Sequence, residues 1–113
     1  MKIYHNPRCS KSRITLALLA SRTTEFEIID YLKNPIKFEE IKLIVEKLNI
    51  NPIELVRTNE SIWKENYKDI QMTDKEIIMS MIDNPKLIER PIVTTNKKAI
   101  IGRPPENVLS LFD

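Results

Sequence analysis

The apolar pair Ile3-Tyr4 lies in a short run, Lys2 to His5, that predicts a first strand. A helical pattern follows from Ser10 to Ser21, with Ile14, Ala17, Leu18 and Ser21 set on one face. Phe26, Ile28 and Ile29 predict a second strand ending near Asp30, and Asn34-Pro35 breaks the chain. From Phe38 to Asn49 the apolar positions Ile41, Ile44, Val45 and Leu48 recur with the helical period. Asn51-Pro52-Ile53-Glu54 carries a cap, a first-turn proline and a returning carboxylate, which predicts a short helix ending near Val56-Arg57. Ser61 to Tyr67 predicts another helix. A second capping box, Thr73 to Glu76, opens one that runs through Ile77, Ile78, Met81 and Ile82 to a stop at Asn84-Pro85. Ile92–Thr95 and Lys98–Ile101 predict two strands. Asn96-Lys97 between them is short enough for a hairpin turn that places asparagine at positive φ. Pro104-Pro105 starts a last helix whose apolar face is Val108, Leu109 and Phe112.

The predicted order is β-α-β, a run of helices, then β-β-α. This order specifies an α/β sheet with helices packed on it. At 113 residues the chain is expected to be a single domain, residues 1–113, with a helical insertion at approximately 38–83. The net charge of +2, from 18 basic and 16 acidic residues, gives no general case for nucleic acid or membrane binding. No stretch approaches the ~20 apolar residues of a membrane span, and the first residues carry no signal-peptide core. One cysteine forbids an internal disulfide. One cysteine and one histidine do not make a zinc site, so no metal is expected. A lone thiol fits a reducing, cytoplasmic setting. The single glycine, Gly102, excludes glycine-rich phosphate loops, so an anion must be held by side chains and a helix end.

That single cysteine, Cys9, stands where the first strand hands over to the first helix, within His5-Asn6-Pro7-Arg8-Cys9-Ser10-Lys11-Ser12. There it faces the unpaired N–H groups and the positive end of the helix dipole. This field favours thiolate, the nucleophilic form, in a residue whose free pKa is about 8.5. Arg8, His5 and Lys11 bring positive charge or hydrogen bonds to the same place. The plain alternative is a buried structural cysteine; polar, cationic neighbours speak against it. Three arginines fall at element boundaries, where rigid scaffolds present site residues: Arg57 after a short helix, Arg90 before Pro91, and Arg103 between Gly102 and Pro104. Singly each reads as a solvated cation. Together with the thiol they fit a tetrahedral oxyanion beside sulfur, because thiolate and anion repel unless fixed cations intervene. Trp63 and Tyr67 read as packing, Met72, Met79 and Met81 as core fillers, and Lys97-Lys98 as a solvated turn.

These residues coincide with the motifs of a known family. His5, Asn6, Pro7, Cys9, Ser12, Arg13, Thr15 and Leu16 match the opening motif of the glutaredoxin-coupled arsenate reductases, a thioredoxin-like family that this chain resembles from end to end. Arg57-Thr58-Asn59-Glu60, Arg90-Pro91-Ile92-Val93 and Gly102-Arg103-Pro104-Pro105-Glu106 match its three later motifs in order. The resemblance implies a thioredoxin-like mixed sheet with a helical insertion. It implies Cys9 as nucleophile, Arg57, Arg90 and Arg103 as oxyanion ligands, a cis bond before Pro91, and His5 and Ser12 as groups that tune the cysteine; Arg8 is read as a further tuning group from its own charge. The implied reaction is reduction of arsenate to arsenite, with glutathione as co-substrate, glutaredoxin as partner and no bound cofactor. Nothing in the sequence calls for more than a monomer. The chain departs from the family at Arg8, Ser10, Lys11 and Ile14, where small or polar residues are common. Two other readings stay open. One is a glutathione-linked thiol protein without arsenate activity. The other is an Spx-type regulator that binds RNA polymerase, although Ser12 stands where those proteins carry a second cysteine.

Overall fold

The four strand signals join into one sheet of order β2-β1-β3-β4 in the computed structural model, which describes residues 1–112. β1 (Lys2–His5) is its hub. It pairs in parallel with β2 (Glu27–Asp30), in the register Lys2 to Glu27 through His5 to Asp30. On its other side it runs antiparallel to β3 (Ile92–Thr94), which in turn pairs antiparallel with β4 (Ala99–Ile101). The parallel pair requires a crossover, and α1 (Ser10–Ala20) supplies it. The result is the mixed, thioredoxin-like α/β arrangement expected. Its chain contacts form two compact units: residues 1–34 with 90–113, and residues 35–89.

In the first unit Ile3, Leu19, Val93 and Val108 are fully buried around the sheet, with Leu16, Phe26, Leu111 and Phe112 packed against them. Each such side chain contributes about 1.5–3 kcal/mol by leaving water. The inward face of α1 is Ser12, Thr15 and Leu19, not the predicted stripe, and Ile14 is 52% exposed. Hydrophobic periodicity misassigned this helix because two of its three buried side chains are hydroxyls. The turn between β3 and β4 also differs from the expectation. Asn96 is not at positive φ; among the described residues that conformation occurs at Asn49 and Asp69. The Thr95 hydroxyl closes the turn instead, accepting from the Lys97 and Lys98 amides at 3.3 and 3.0 Å. The final helix, Pro105–Phe112, is a 3-10 helix, so Leu111, three residues after Val108, joins the packing.

The second unit is helical. α2 (Phe38–Leu48) buries Ile41, Ile44 and Val45 and ends at Asn49 in the left-handed conformation. Pro52–Leu55 is a 3-10 turn with the predicted capping box, in which Glu54 Oε2 accepts from the Asn51 amide at 2.7 Å. α3 (Ser61–Asn66) stacks Trp63 on Tyr67, with ring centroids 5.3 Å apart. α4 (Asp74–Asp83) opens on the Thr73–Glu76 capping box and buries Ile77, Ile78 and Met81. Met81 fills the core as expected, whereas Met79 is 39% exposed. Among the described residues no helix is long and apolar enough to cross a membrane.

Candidate active site

The segment leaving β1 is built to present a sulfur. The Asn6 side chain accepts from the Arg8 amide at 3.0 Å and the Asn6 carbonyl from the Cys9 amide at 3.0 Å, so residues 6–9 form a tight turn. Cys9 is the N-cap of α1, with extended backbone (φ −94°, ψ 123°), and its carbonyl accepts the first helical bond from Arg13 at 3.0 Å. The Arg13 guanidinium reaches back to the Pro7 carbonyl at 3.0 Å. An N-cap side chain points at the first amides of its helix. No cap bond is closed here, yet the Ser12 and Lys11 N–H groups still favour negative charge on Sγ.

The other wall comes from the ends of β3 and β4. The Arg90–Pro91 and Arg103–Pro104 bonds are both cis. Gly102 N–H donates to the Pro91 carbonyl at 2.9 Å, and Arg103 Nε donates to the Arg90 carbonyl at 2.7 Å. Arg103 Nη2 then lies 3.5 Å from Cys9 Sγ. Gly102 is there because nothing larger fits. A Cβ at that position would sit 2.7 Å from Thr15 Oγ1 and 2.9 Å from Pro91 Cγ. Thr15 Oγ1, which donates to the Lys11 carbonyl at 2.9 Å, is therefore in close contact with the strand end that carries Arg103.

Partial burial pushes the Cys9 thiol up. The Ser12 amide, the hydrogen bond and charge of Arg90, and the Lys11 amide outweigh it, so the pKa lies below the ordinary thiol value. Cys9 is thus poised to react as thiolate. Its rate of alkylation by iodoacetamide is expected to rise through a pH midpoint below that of a free thiol. Arg90→Ala removes a hydrogen bond and a charge that favour the anion, so its midpoint is expected to move to higher pH. A variant titrating with wild type would contradict this role for Arg90.

His5 and Ser12 are buried together. Ser12 Oγ accepts from the Asn6 amide at 3.0 Å and is hydrogen-bonded to His5 Nδ1 at 2.6 Å. Burial lowers the His5 pKa, Asp30 raises it and Arg13 lowers it, with a net shift below 6.5. The unfolded chain therefore takes up this proton first. Stability from His5 is complete above the ordinary histidine range and is lost as pH falls from 6.5 through the lowered value. Ser12→Ala leaves His5 Nδ1 and the Asn6 N–H without their partner. A loss of about 1–3 kcal/mol is expected in denaturant unfolding. An unchanged midpoint would deny that bond its structural role.

Within the first unit, then, Cys9, Arg90 and Arg103 come together, His5 and Ser12 brace the loop beneath them, and Arg8 is exposed. Arg57 belongs to the second unit. It follows the Val56–Ile88 bridge, its amide donates to the Leu87 carbonyl at 2.6 Å, and its guanidinium pairs with Glu60 at 2.9 Å. That pair is partly exposed and contributes about 0–1 kcal/mol. A cavity of about 480 Å³ in the second unit, floored by Phe38, Val45, Pro52 and Ile78, includes none of the expected site residues. Among the described residues no group of three or more His, Cys, Asp or Glu side chains is disposed to hold a metal ion. Sequence reasoning placed Asn6 and Thr15 in the opening motif without giving either a role of its own. The uniqueness of Gly102 was the one available signal for the close contact with Thr15.

The ArsC family profile matches residues 4–111. The chain is 48% identical to the uncharacterized protein YfgD of Escherichia coli K12, over 98% of this chain and 95% of that one. It is 42% identical to an arsenate reductase of Neisseria meningitidis serogroup A, over 96% and 94% of the two chains. The structure of an arsenate reductase from Vibrio cholerae superposes with a TM-score of 0.90 at 45% identity, covering 97% of both chains.

Proposed function

This chain belongs to the ArsC family and is an oxidoreductase, and from that premise we propose that it reduces arsenate to arsenite through Cys9, with glutathione and glutaredoxin as the external reductants. The observation that carries the reading is the Cys9 sulfur held at a helix N-terminus with Arg103 Nη2 at 3.5 Å and Arg90 favouring its charge. In the first step the thiolate attacks As(V), an As–S bond forms, and one As–O bond breaks as its oxygen leaves with a proton. Arg90 and Arg103 offset the charge of the oxyanion as it approaches the anionic sulfur. Arg57 joins them in this reading on the strength of its sequence motif.

The chain has one cysteine, so the adduct is resolved from outside. A glutathione thiolate attacks the Cys9 sulfur, an S–S bond forms, and the As–S electron pair stays on arsenic, which departs as arsenite. A second thiol, delivered through glutaredoxin, releases Cys9 and leaves as disulfide. Two electrons pass from two thiols to one arsenic, and no bound cofactor takes part. The reaction belongs in a reducing compartment, the cytoplasm, and needs one copy of the chain.

Steady-state turnover of arsenate with glutathione and glutaredoxin tests the proposal directly. Absence of arsenite formation would refute it and leave a thiol protein without arsenic chemistry. Arg57→Ala is expected to raise the KM for arsenate about tenfold and to leave the Cys9 alkylation profile in place. An unaltered KM would remove Arg57 from the anion site.

A further inference from the structure

The first turn of α1 places cations at the positive end of a helix dipole. Helix N-termini favour acidic side chains. α2 has Glu39 and Glu40 in its first turn, α4 has Asp74 and Glu76, and the final 3-10 helix has Glu106. α1 and α3 have none, and α1 carries Lys11 in that turn with Arg8 just before it. The basic residues of the first 24 positions are Lys2, Arg8, Lys11, Arg13 and Arg22, and the first acidic residue of the whole chain is Glu25. This segment is therefore strongly cationic in a chain whose net charge is only +2.

Arg8 and Lys11 are both exposed, and neither side chain forms an ion pair or hydrogen bond with another described residue. They flank Cys9, one residue before it and two after. Arg90, Arg103 and the amides of Ser12 and Lys11 face the sulfur itself, whereas the Arg8 and Lys11 side chains are open to solvent on either side of it in the chain. Two side-chain cations that oppose the helix dipole, contribute no described contact and surround a reactive sulfur are placed to meet something arriving from solvent. Ile14, exposed on the next turn of the same helix, adds an apolar contact beside them.

We infer that Arg8 and Lys11 determine which thiol regenerates Cys9, selecting a small anionic thiol over neutral and cationic ones. The inference rests on the reading that an external thiolate attacks the Cys9 sulfur. Arg8 and Lys11 attract the carboxylate or sulfonate of the incoming thiol. This raises the local concentration of its thiolate, while the sulfur–sulfur exchange itself stays with Cys9.

The test needs no arsenic. Cys9 is converted to its neutral 2-thiopyridyl mixed disulfide, and exchange is followed by release of thiopyridone. The attacking thiolate forms the new S–S bond to Cys9, the old S–S bond breaks, and thiopyridone leaves with its electron pair. The probes are 2-mercaptoethanesulfonate, 2-mercaptoethanol and cysteamine, with rates compared per thiolate. The same three thiols are run on a small uncharged 2-thiopyridyl disulfide, which gives their intrinsic reactivities. At low ionic strength the wild-type protein is expected to favour the sulfonate over the neutral thiol about tenfold more than the small disulfide does, with cysteamine slowest. The preference should collapse toward 1 M salt, where screening acts within about 3 Å. In Arg8→Gln/Lys11→Gln the preference should fall at least about threefold toward that of the small disulfide, with circular dichroism unchanged, and Arg90 and Arg103, still cationic beside the mixed disulfide, account for what remains. Equal selectivity in wild type and double variant would overturn the inference. Arsenate turnover by the same samples reports separately on the reductase reading, so either can fail alone.

Discussion

Cys9→Ser is expected to abolish arsenate reduction, with turnover falling at least about 10³-fold to the background of glutathione and glutaredoxin alone. The size of the effect follows from the chemistry of one atom. A serine hydroxyl at the helix start would feel the same Ser12 and Lys11 amides and the same Arg90 charge. None of these ionises an alcohol at neutral pH, whereas each favours thiolate over a thiol that already titrates near that range. With one cysteine in the sequence no neighbouring thiol substitutes. The side chains are nearly isosteric and Cys9 is only partly buried, so the fold is expected to be retained, as judged by circular dichroism and the thermal midpoint. Arsenite production by the serine variant at a tenth of the wild-type rate would remove Cys9 from the centre of the reaction.

The second large effect is expected at a residue with no functional group. Gly102→Ala places a methyl 2.7 Å from Thr15 Oγ1, 2.8 Å from Thr15 Cγ2 and 2.9 Å from Pro91 Cγ. One neighbour is the branched side chain of a fully buried threonine and the other the ring of a buried proline, so neither can swing aside. Overpacking of this kind costs about 1–3 kcal/mol. The strand end must also move, and it carries Arg103, whose contact with Sγ is 3.5 Å. Gly102→Ala should lower both the unfolding midpoint and arsenate turnover. Gly102→Ala/Thr15→Ala should be more stable than the sum of the two single changes, because removing Thr15 Oγ1 and Cγ2 opens the space that the new methyl needs. Strict additivity in that double-mutant cycle would show that the threonine contact does not limit the site.

Legibility differed between the two units. In the second, the capping boxes at Asn51–Glu54 and Thr73–Glu76 and the stripe Ile41, Ile44, Val45 located the helices to within a residue or two. There the signal is local: a cap binds amides three positions away, and a stripe reflects the pitch of one helix. In the first unit α1 was placed correctly and its buried face was not, because Ser12 and Thr15 are buried through bonds to His5, Asn6, Lys11 and Gly102, not through apolarity. The hairpin was found and its turn mechanism missed, because the Thr95 hydroxyl closes the turn in place of Asn96 at positive φ.

By itself the order of residues determined the strand and helix sequence, a lone thiol at a helix start, and arginines at element boundaries, because each of these depends on neighbours a few positions apart. Only the folded chain decided that Arg103 meets a sulfur 94 residues away, that Gly102 is pressed between Thr15 and Pro91, and that Ser12 serves His5 with its side chain and Cys9 with its amide. Those relations arise where β1 hands over to α1 beside the ends of β3 and β4. Sheet pairing brings these segments together, and no local pattern records the distance between groups so far apart along the chain.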